Sequence, residues 1–271
     1  MAIERFDLTG KVIVVTGAAR GLGKQMTLAL AKAGADVLIG DLLAAQNEET
    51  AAEVRELGRR AVAVTLDVRD SHQCDELIQR CLKEFGRIDV MLSNAGIGEG
   101  RGLNRPLWEV SDDDWADTIA INLSSAFYCA RAASRPMMDQ GHGVIINLGS
   151  GTALRGAPQV FPYAAAKAAV ISLTKSLAML LARYNIRVNC IIPGEFARRP
   201  SADEGEERFW TDRGRFFPAQ RVGEPWELGP LAVFLSSDAS SYMTGQGLPV
   251  DGGFLGGGYA PVPFAPTVPL A

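Results

Sequence analysis

Short runs of apolar, mostly β-branched residues alternate along this chain with longer stretches of helical patterning. The runs are Val12–Thr16, Asp36–Gly40, Ala61–Leu66, Asp89–Ser93, Gly143–Leu148 and Ile186–Ile192, and a helix-like segment fills every gap between them. Strands that are nearly continuous in apolar character need cover on both faces, and the intervening helices supply it. The pattern predicts a parallel sheet in a doubly wound α/β architecture. No repeat, linker or low-complexity segment divides the chain, so residues 1–271 read as one domain.

Two helical stretches stand out. One runs from Ser111 to about Gln140 and opens Ser-Asp-Asp-Asp, an N-cap hydroxyl followed by acids that suit the positive end of a helix. The other, Pro162–Tyr184, follows the fifth strand. Beyond the sixth strand, residues 195–221 are polar and rich in Arg and Glu, at the place where doubly wound folds carry the covering of the site. After Asp251-Gly252-Gly253 the segment Phe254–Ala271 is rich in Gly and Pro, which predicts an extended tail, frayed or laid on a neighbour.

Composition narrows the function classes. The 271 residues are 47% hydrophobic and 21% charged, enough for a sizeable core, and the net charge of −4 offers no basic field for a nucleic acid. Cys74, Cys81, Cys129 and Cys190 are scattered, and His72 and His142 form no ligand pair with them, so neither a disulfide framework nor a metal site is expected. The N-terminus carries charges where a signal peptide needs an apolar core, and no uninterrupted apolar run has the length of a membrane span. A cytoplasmic protein is expected.

Tyr163 and Lys167 stand four apart at the start of the second helical stretch, on one face and one turn apart. A neighbouring ammonium favours the phenolate and lowers the phenol pKa, which makes Tyr163 a candidate acid/base. Between the first strand and first helix lies Thr16-Gly17-Ala18-Ala19-Arg20-Gly21-Leu22-Gly23. Such a turn lets backbone approach a pyrophosphate at a helix N-terminus. Asp41, at the end of the second strand, can bond both hydroxyls of an adenosine ribose and repels a 2′-phosphate. Arg20 would favour that phosphate. With Leu42 rather than a base after Asp41, the acid weighs more and NAD is expected over NADP.

These features together resemble the short-chain dehydrogenase/reductase family, and the resemblance covers nearly the whole chain. Further motifs are Asp67-Val68, Ser93-Asn94-Ala95-Gly96, Asn122, Ser150, Pro193-Gly194 and Asp251-Gly252-Gly253, with Ser150, Tyr163 and Lys167 at the family's spacing. The resemblance implies a Rossmann-type sheet of about seven strands with helices on both faces. It also implies a catalytic tetrad. Tyr163 would exchange the proton at the substrate oxygen, Ser150 would hydrogen-bond the same oxygen, and Lys167 would hold the nicotinamide ribose. Asn122 would interrupt its helix to seat a water. Cofactor contacts would come from Gly17, Ala19, Arg20, Gly21, Leu22, Gly23, Asp41 and Leu42, from Asp67 and Val68 near the adenine, and from Asn94, Ala95 and Gly96 near the adenosine ribose. Tyr163, Lys167, Pro193, Gly194 and Phe196 would serve the nicotinamide end.

The chain departs from the family pattern at Arg198, where a threonine often binds the carboxamide. Arg155, five residues past Ser150, should wall the other side of the pocket. Two guanidiniums converging there would hold an anionic group, so an anionic hydroxy compound, a sugar or a polyol is expected as substrate. Alternatively Arg198 turns out to Glu195. The resulting expectation is an NAD-dependent oxidoreductase of secondary alcohols. An NADPH-dependent ketone reductase of the 3-ketoacyl type is the alternative, and a dinucleotide-sensing regulator is the reading from another class. The family's habit implies a homotetramer, its long helices pairing with the help of Ala164, Ala165, Ala166, Ala168 and Ala169.

Overall fold

The computed structural model describes residues 3–97, 106–197 and 203–257. The first half alternates β1 (Val12–Thr16), α1 (Gly21–Lys32), β2 (Asp36–Asp41), α2 (Ala44–Glu56), β3 (Ala61–Thr65), α3 (Ser71–Phe85) and β4 (Val90–Ser93). The second half runs through α4 (Asp112–Ile119), α5 (Ser125–Gln140), β5 (Gly143–Leu148), α6 (Phe161–Leu181), β6 (Ile186–Pro193), α7 (Glu204–Gly214), α8 (Gly229–Ser236), β7 (Gly247–Val250) and α9 (Phe254–Gly257). Among the described residues the strands form one parallel sheet in the order β3-β2-β1-β4-β5-β6-β7. The order reverses at β1 and β4, where a doubly wound sheet opens a crevice at its carboxyl edge.

Alternation along each strand sends side chains to two cores. Ile13, Val15, Val37, Ile39, Leu92 and Ile146 pack with Met26 and Leu30 of α1 and Leu235 of α8. Val14, Leu38, Met91, Ile145 and Val188 pack with Leu77 of α3, Cys129 and Met137 of α5, and Leu181 of α6. With both faces buried, the strands lose the polar alternation of a half-exposed sheet. All four cysteines are free and buried.

The opposite, amino edge of the sheet is closed by Asp89, 2% exposed. Its carboxylate accepts from the Val12 amide at 2.8 Å and the Arg87 guanidinium at 2.6 Å, with His142 Nε2 3.0 Å away.

The stretch from Ser111 to Gln140 is not one regular helix. Ser111 caps α4 by accepting from the Asp114 amide at 3.1 Å, but residues Ala120–Ser124 form a π turn before α5 begins. One correction concerns Phe254–Gly257, which coils into a helical turn where an extended tail was expected. Asp251 causes it: its carboxylate accepts from the Gly253 and Leu255 amides, each at 2.9 Å, and its prolines start only at Pro261. The rest of that tail, residues 258–271, lies outside the described residues. Phe161–Tyr184 is long and apolar enough to cross a membrane by length and composition. Here it lies on the sheet, with Val170 and Ile171 against Cys190 and Ile192 of β6.

Candidate active site

The glycine turn is packed so closely that side chains are excluded from part of it. A Cβ on Gly23 would stand 2.0 Å from the Gly17 carbonyl oxygen and 2.3 Å from Asn94 Nδ2, and one on Gly17 would stand 2.8 Å from Ala95 Cα. Gly21 is different: it has φ +58° and open space around its missing side chain, so backbone conformation sets the requirement. Arg20 is the N-cap of α1 and its side chain caps nothing, while Leu22 packs partly buried beside the core. The first-turn amides of this twelve-residue helix therefore retain donor capacity at its positive end.

Neighbouring strand ends hold this turn in place. Asn94 Nδ2 donates to the Thr16 and Gly17 carbonyls at 3.1 and 2.8 Å, and the Ala95 amide donates to Thr16 Oγ1 at 3.2 Å. Asp41 accepts from the Ala19 amide through one oxygen and from the Leu43 amide through the other, each at 3.0 Å. Its carboxylate is thereby fixed at the mouth of the turn, with Leu42 exposed alongside. Asp67 is gripped by Arg69 at 2.6 Å, which lowers its pKa below the usual carboxylate value, and Val68 is buried beneath it. The residues that could hold the pyrophosphate, adenosine ribose and adenine of a dinucleotide thus share the carboxyl edge of β1, β2, β3 and β4, and the donor set fits that group.

The second half of the edge carries the titratable groups. Asn122, 1% exposed, sits inside the π turn. Its amide accepts from the Ile97 N–H at 3.2 Å and donates to the Ile97 carbonyl at 3.2 Å, tying the turn to the segment after β4. Gly96 lies between Asn122 and Lys167: a Cβ there would be 2.9 Å from Asn122 Oδ1 and 3.4 Å from Lys167 Nζ. Lys167 is 4% exposed, donates to the Leu148 carbonyl at 2.9 Å, and lies 5.6 Å from the centroid of the Tyr163 ring. Burial pushes its pKa down to about 8, only partly opposed by neighbouring Cys190. Leu148 is two residues ahead of Ser150, so one ammonium connects α6 to the strand end that presents the serine.

Pro193 ends β6, and Gly194 is held by its amide to the Val250 carbonyl at 2.9 Å. A Cβ on Gly194 would meet Asp251 Cα at 2.6 Å. Phe196 forms a parallel bridge with Gly223 and lies against that glycine, which directs its ring into protein. Glu195 is bound through both carboxylate oxygens by Arg213 of α7. The acid suggested as an outward partner for Arg198 is therefore already engaged; Arg198 itself lies outside the described residues.

Arg155 is exposed, with its guanidinium 4.0 Å from the centroid of the Phe254 ring. Phe254 is 3% exposed, packs at a tilt against Phe217 with ring centroids 5.1 Å apart, and comes within 3.4 Å of the position a Cβ on Gly151 would take. It joins the turn after Ser150 to the end of the covering segment. No pattern in the sequence marks Phe254 for this role. Thr152 was also missed, although it lies two residues from Ser150: its Oγ1 is 2.9 Å from Ser150 Oγ. Separation in sequence was its one available signal.

Known proteins resemble this chain over nearly its whole length. A family model described as enoyl-(acyl carrier protein) reductase matches residues 17–255. The chain is 38% identical over 253 residues to the 5-keto-D-gluconate 5-reductase of Escherichia coli, covering 93% of this chain and 98% of that protein. It is 37% identical over 248 residues to the 3-oxoacyl-[acyl-carrier-protein] reductase FabG of Thermotoga maritima, covering 92% and 99%. Among solved structures, a short-chain type dehydrogenase/reductase from Mycobacterium marinum superimposes with a TM-score of 0.84 at 33% identity, over 94% of this chain and 98% of that one. The chain belongs to the short-chain dehydrogenase/reductase family, and is an oxidoreductase of secondary alcohols and ketones that uses a nicotinamide dinucleotide.

Proposed function

We propose that this enzyme interconverts an anionic polyhydroxy alcohol, of the sugar-acid kind, and its ketone, with NAD as cofactor and Tyr163 as the acid/base. The reading rests above all on Lys167, a buried ammonium close to the Tyr163 ring and bonded to the strand end that presents Ser150. A nicotinamide held here would supply the hydride chemistry, between the carbinol carbon and the ketone. Tyr163 takes or gives the proton at the substrate oxygen, favoured in its phenolate form by the ammonium one helical turn away. Ser150 hydrogen-bonds the same oxygen as charge develops on it. Lys167 would also hold the nicotinamide ribose, and Asn122 would keep the π turn open for a water that relays the proton. Pro193, Gly194 and the Phe196 backbone would line the nicotinamide end of the site.

Two observations support an anionic substrate: the Arg155 guanidinium, placed over the Phe254 ring beside the serine turn, and the likeness to an enzyme named for 5-keto-D-gluconate. An arginine held by stacking loses less freedom when it takes a carboxylate. The test is kcat/KM for matched anionic and neutral alcohols. Arg155→Ala should lower the value for the anionic member by about tenfold, the worth of one charge-assisted contact, and leave the neutral one unchanged. Equal losses on both, or no loss, would remove Arg155 from substrate binding.

Asp41 supports NAD, since a carboxylate fixed by two backbone amides is an acceptor for ribose hydroxyls and a repulsive neighbour for a 2′-phosphate. Asp41→Ser should move the NADP-to-NAD ratio of kcat/KM upward by about tenfold or more, because one repulsive charge is gone. A wild-type enzyme that already prefers NADP would overturn the cofactor reading. That outcome favours the alternative, a 3-ketoacyl type reductase using NADPH, for which the exposed Arg20 and the likeness to FabG speak.

A homotetramer completes the reading. Phe127 of α5 and Met179 and Leu180 of α6 are 44%, 84% and 54% exposed, apolar surface suited to pairing of these helices. Of the alanines near the start of α6, Ala165 and Ala168 face outward, whereas Ala166 is fully buried in the chain's own core.

A further inference from the structure

Ser150 is the extended N-cap of a 3₁₀ turn, Gly151–Leu154, and is 9% exposed. Its Oγ accepts from the Thr152 amide at 3.3 Å and lies 2.9 Å from Thr152 Oγ1. Either hydroxyl has the geometry to donate across that shorter contact. A hydroxyl has one proton and two lone pairs, so the choice of donor decides which way the Ser150 proton points.

We infer that Thr152 is a positioning residue for the reaction: its amide and its hydroxyl both donate to Ser150 Oγ, and so aim the Ser150 proton at the substrate oxygen. The inference rests on the reading of Ser150 as the group that bonds that oxygen. A ketone oxygen has only lone pairs to offer and becomes more negative as hydride arrives, so it takes the proton of whichever hydroxyl faces it. Ser150 then has two lone pairs left, and two Thr152 donors are within reach of them. Among the described residues Ser150 is the hydrogen-bond partner of the Thr152 hydroxyl, so this proton is not drawn to a competing protein acceptor. The result is a relay of polarity from Thr152 Oγ1–H to Ser150 Oγ–H to substrate oxygen, in which each bond strengthens the next. No proton is transferred along it. The opposite arrangement, Ser150 donating to Thr152, withdraws the proton from the substrate just as charge accumulates there.

Thr152→Val keeps the shape, the β-branch and the backbone amide and removes only the hydroxyl. Single-turnover ketone reduction, followed by loss of reduced nicotinamide absorbance, should slow by about tenfold, the worth of one polarising hydrogen bond. Dinucleotide affinity and Tm should remain those of the wild type. Thr152→Ser restores the hydroxyl and should restore the rate. A Thr152→Val enzyme at the wild-type rate, or a Thr152→Ser enzyme as slow as the valine variant, overturns the inference. Ser150→Ala separates the two levels: if it is slow while Thr152→Val is not, only Thr152 is misassigned; if Ser150→Ala itself turns over normally, the Ser150 reading fails and Thr152 goes with it.

Discussion

Tyr163→Phe should lower kcat by ~10²–10⁴-fold, the usual worth of one positioned proton donor, while dinucleotide affinity stays close to that of the wild type. The substitution removes one hydroxyl and leaves the ring, which is half-buried at the first turn of α6 with Lys167 Nζ 5.6 Å from its centroid. The substitution leaves the glycine turn and Asp41 in place, so the adenosine half of the cofactor site should be unaffected. Steady-state kinetics on a secondary alcohol, paired with a fluorescence titration of the dinucleotide, provide the measurement. A variant that keeps more than about a tenth of kcat would sink the assignment, because the loss is then smaller than general acid–base catalysis contributes.

Lys167→Met should abolish turnover as severely and, unlike the tyrosine change, weaken dinucleotide binding as well. It also has a signature in stability. In the folded chain burial pushes the lysine down to about 8, against the ordinary 10.5 it regains on unfolding. Between those two values the unfolded chain carries a proton at this site that the folded chain lacks, so stability from this group rises with pH across the window. Below it both states are charged and the folded chain bears the full desolvation cost. Wild type should therefore gain on the order of 3 kcal/mol relative to Lys167→Met as pH rises from about 7.5 to 10.5. Urea unfolding of both proteins at the two pH values tests this, the difference between them cancelling groups they share. A difference independent of pH would mean that Lys167 keeps an ordinary pKa in the folded state. In activity the same titration acts in the opposite sense: as pH passes about 8 the free enzyme loses the charge that favours the Tyr163 phenolate.

Much of this architecture was legible because the relevant signals are local. Both faces of the sheet are buried, so β1, β2, β5 and β6 appear as apolar runs, and the glycine turn occupies the single interval between β1 and α1. Tyr163 and Lys167 were readable as a pair because helix periodicity places them together. β7 was harder: it is four residues long, contains Pro249, and forms the edge of the sheet, where a missing N–H is tolerated. The π turn at Asn122 could be anticipated only through resemblance, since helix propensity runs on through Ala120–Ser124 without a Gly or Pro. Long-range contacts left no trace. Arg213 and Glu195 are separated by 18 positions, and neither differs in kind from the other charges around it. Phe254 looked like the first residue of a proline-broken tail, yet Asp251 folds it back against Gly151 and Phe217.

The two edges of the sheet treat their polar groups in opposite ways. At the amino edge, the Asp89 carboxylate is bonded by Val12 and Arg87 with His142 beside it, buried inside the protein. At the carboxyl edge Asp41 and the first-turn amides of α1 keep bonding capacity in reserve. Such a division separates what maintains the molecule from what it acts upon. On the proposed reading a change at Arg155 alters what is bound and one at Thr152 how fast it reacts, neither touching the clasp that closes the strands, and a substitution at Asp89 does the reverse. A scaffold arranged this way can diversify its chemistry by altering one rim while its thermal endurance is inherited unchanged from the other.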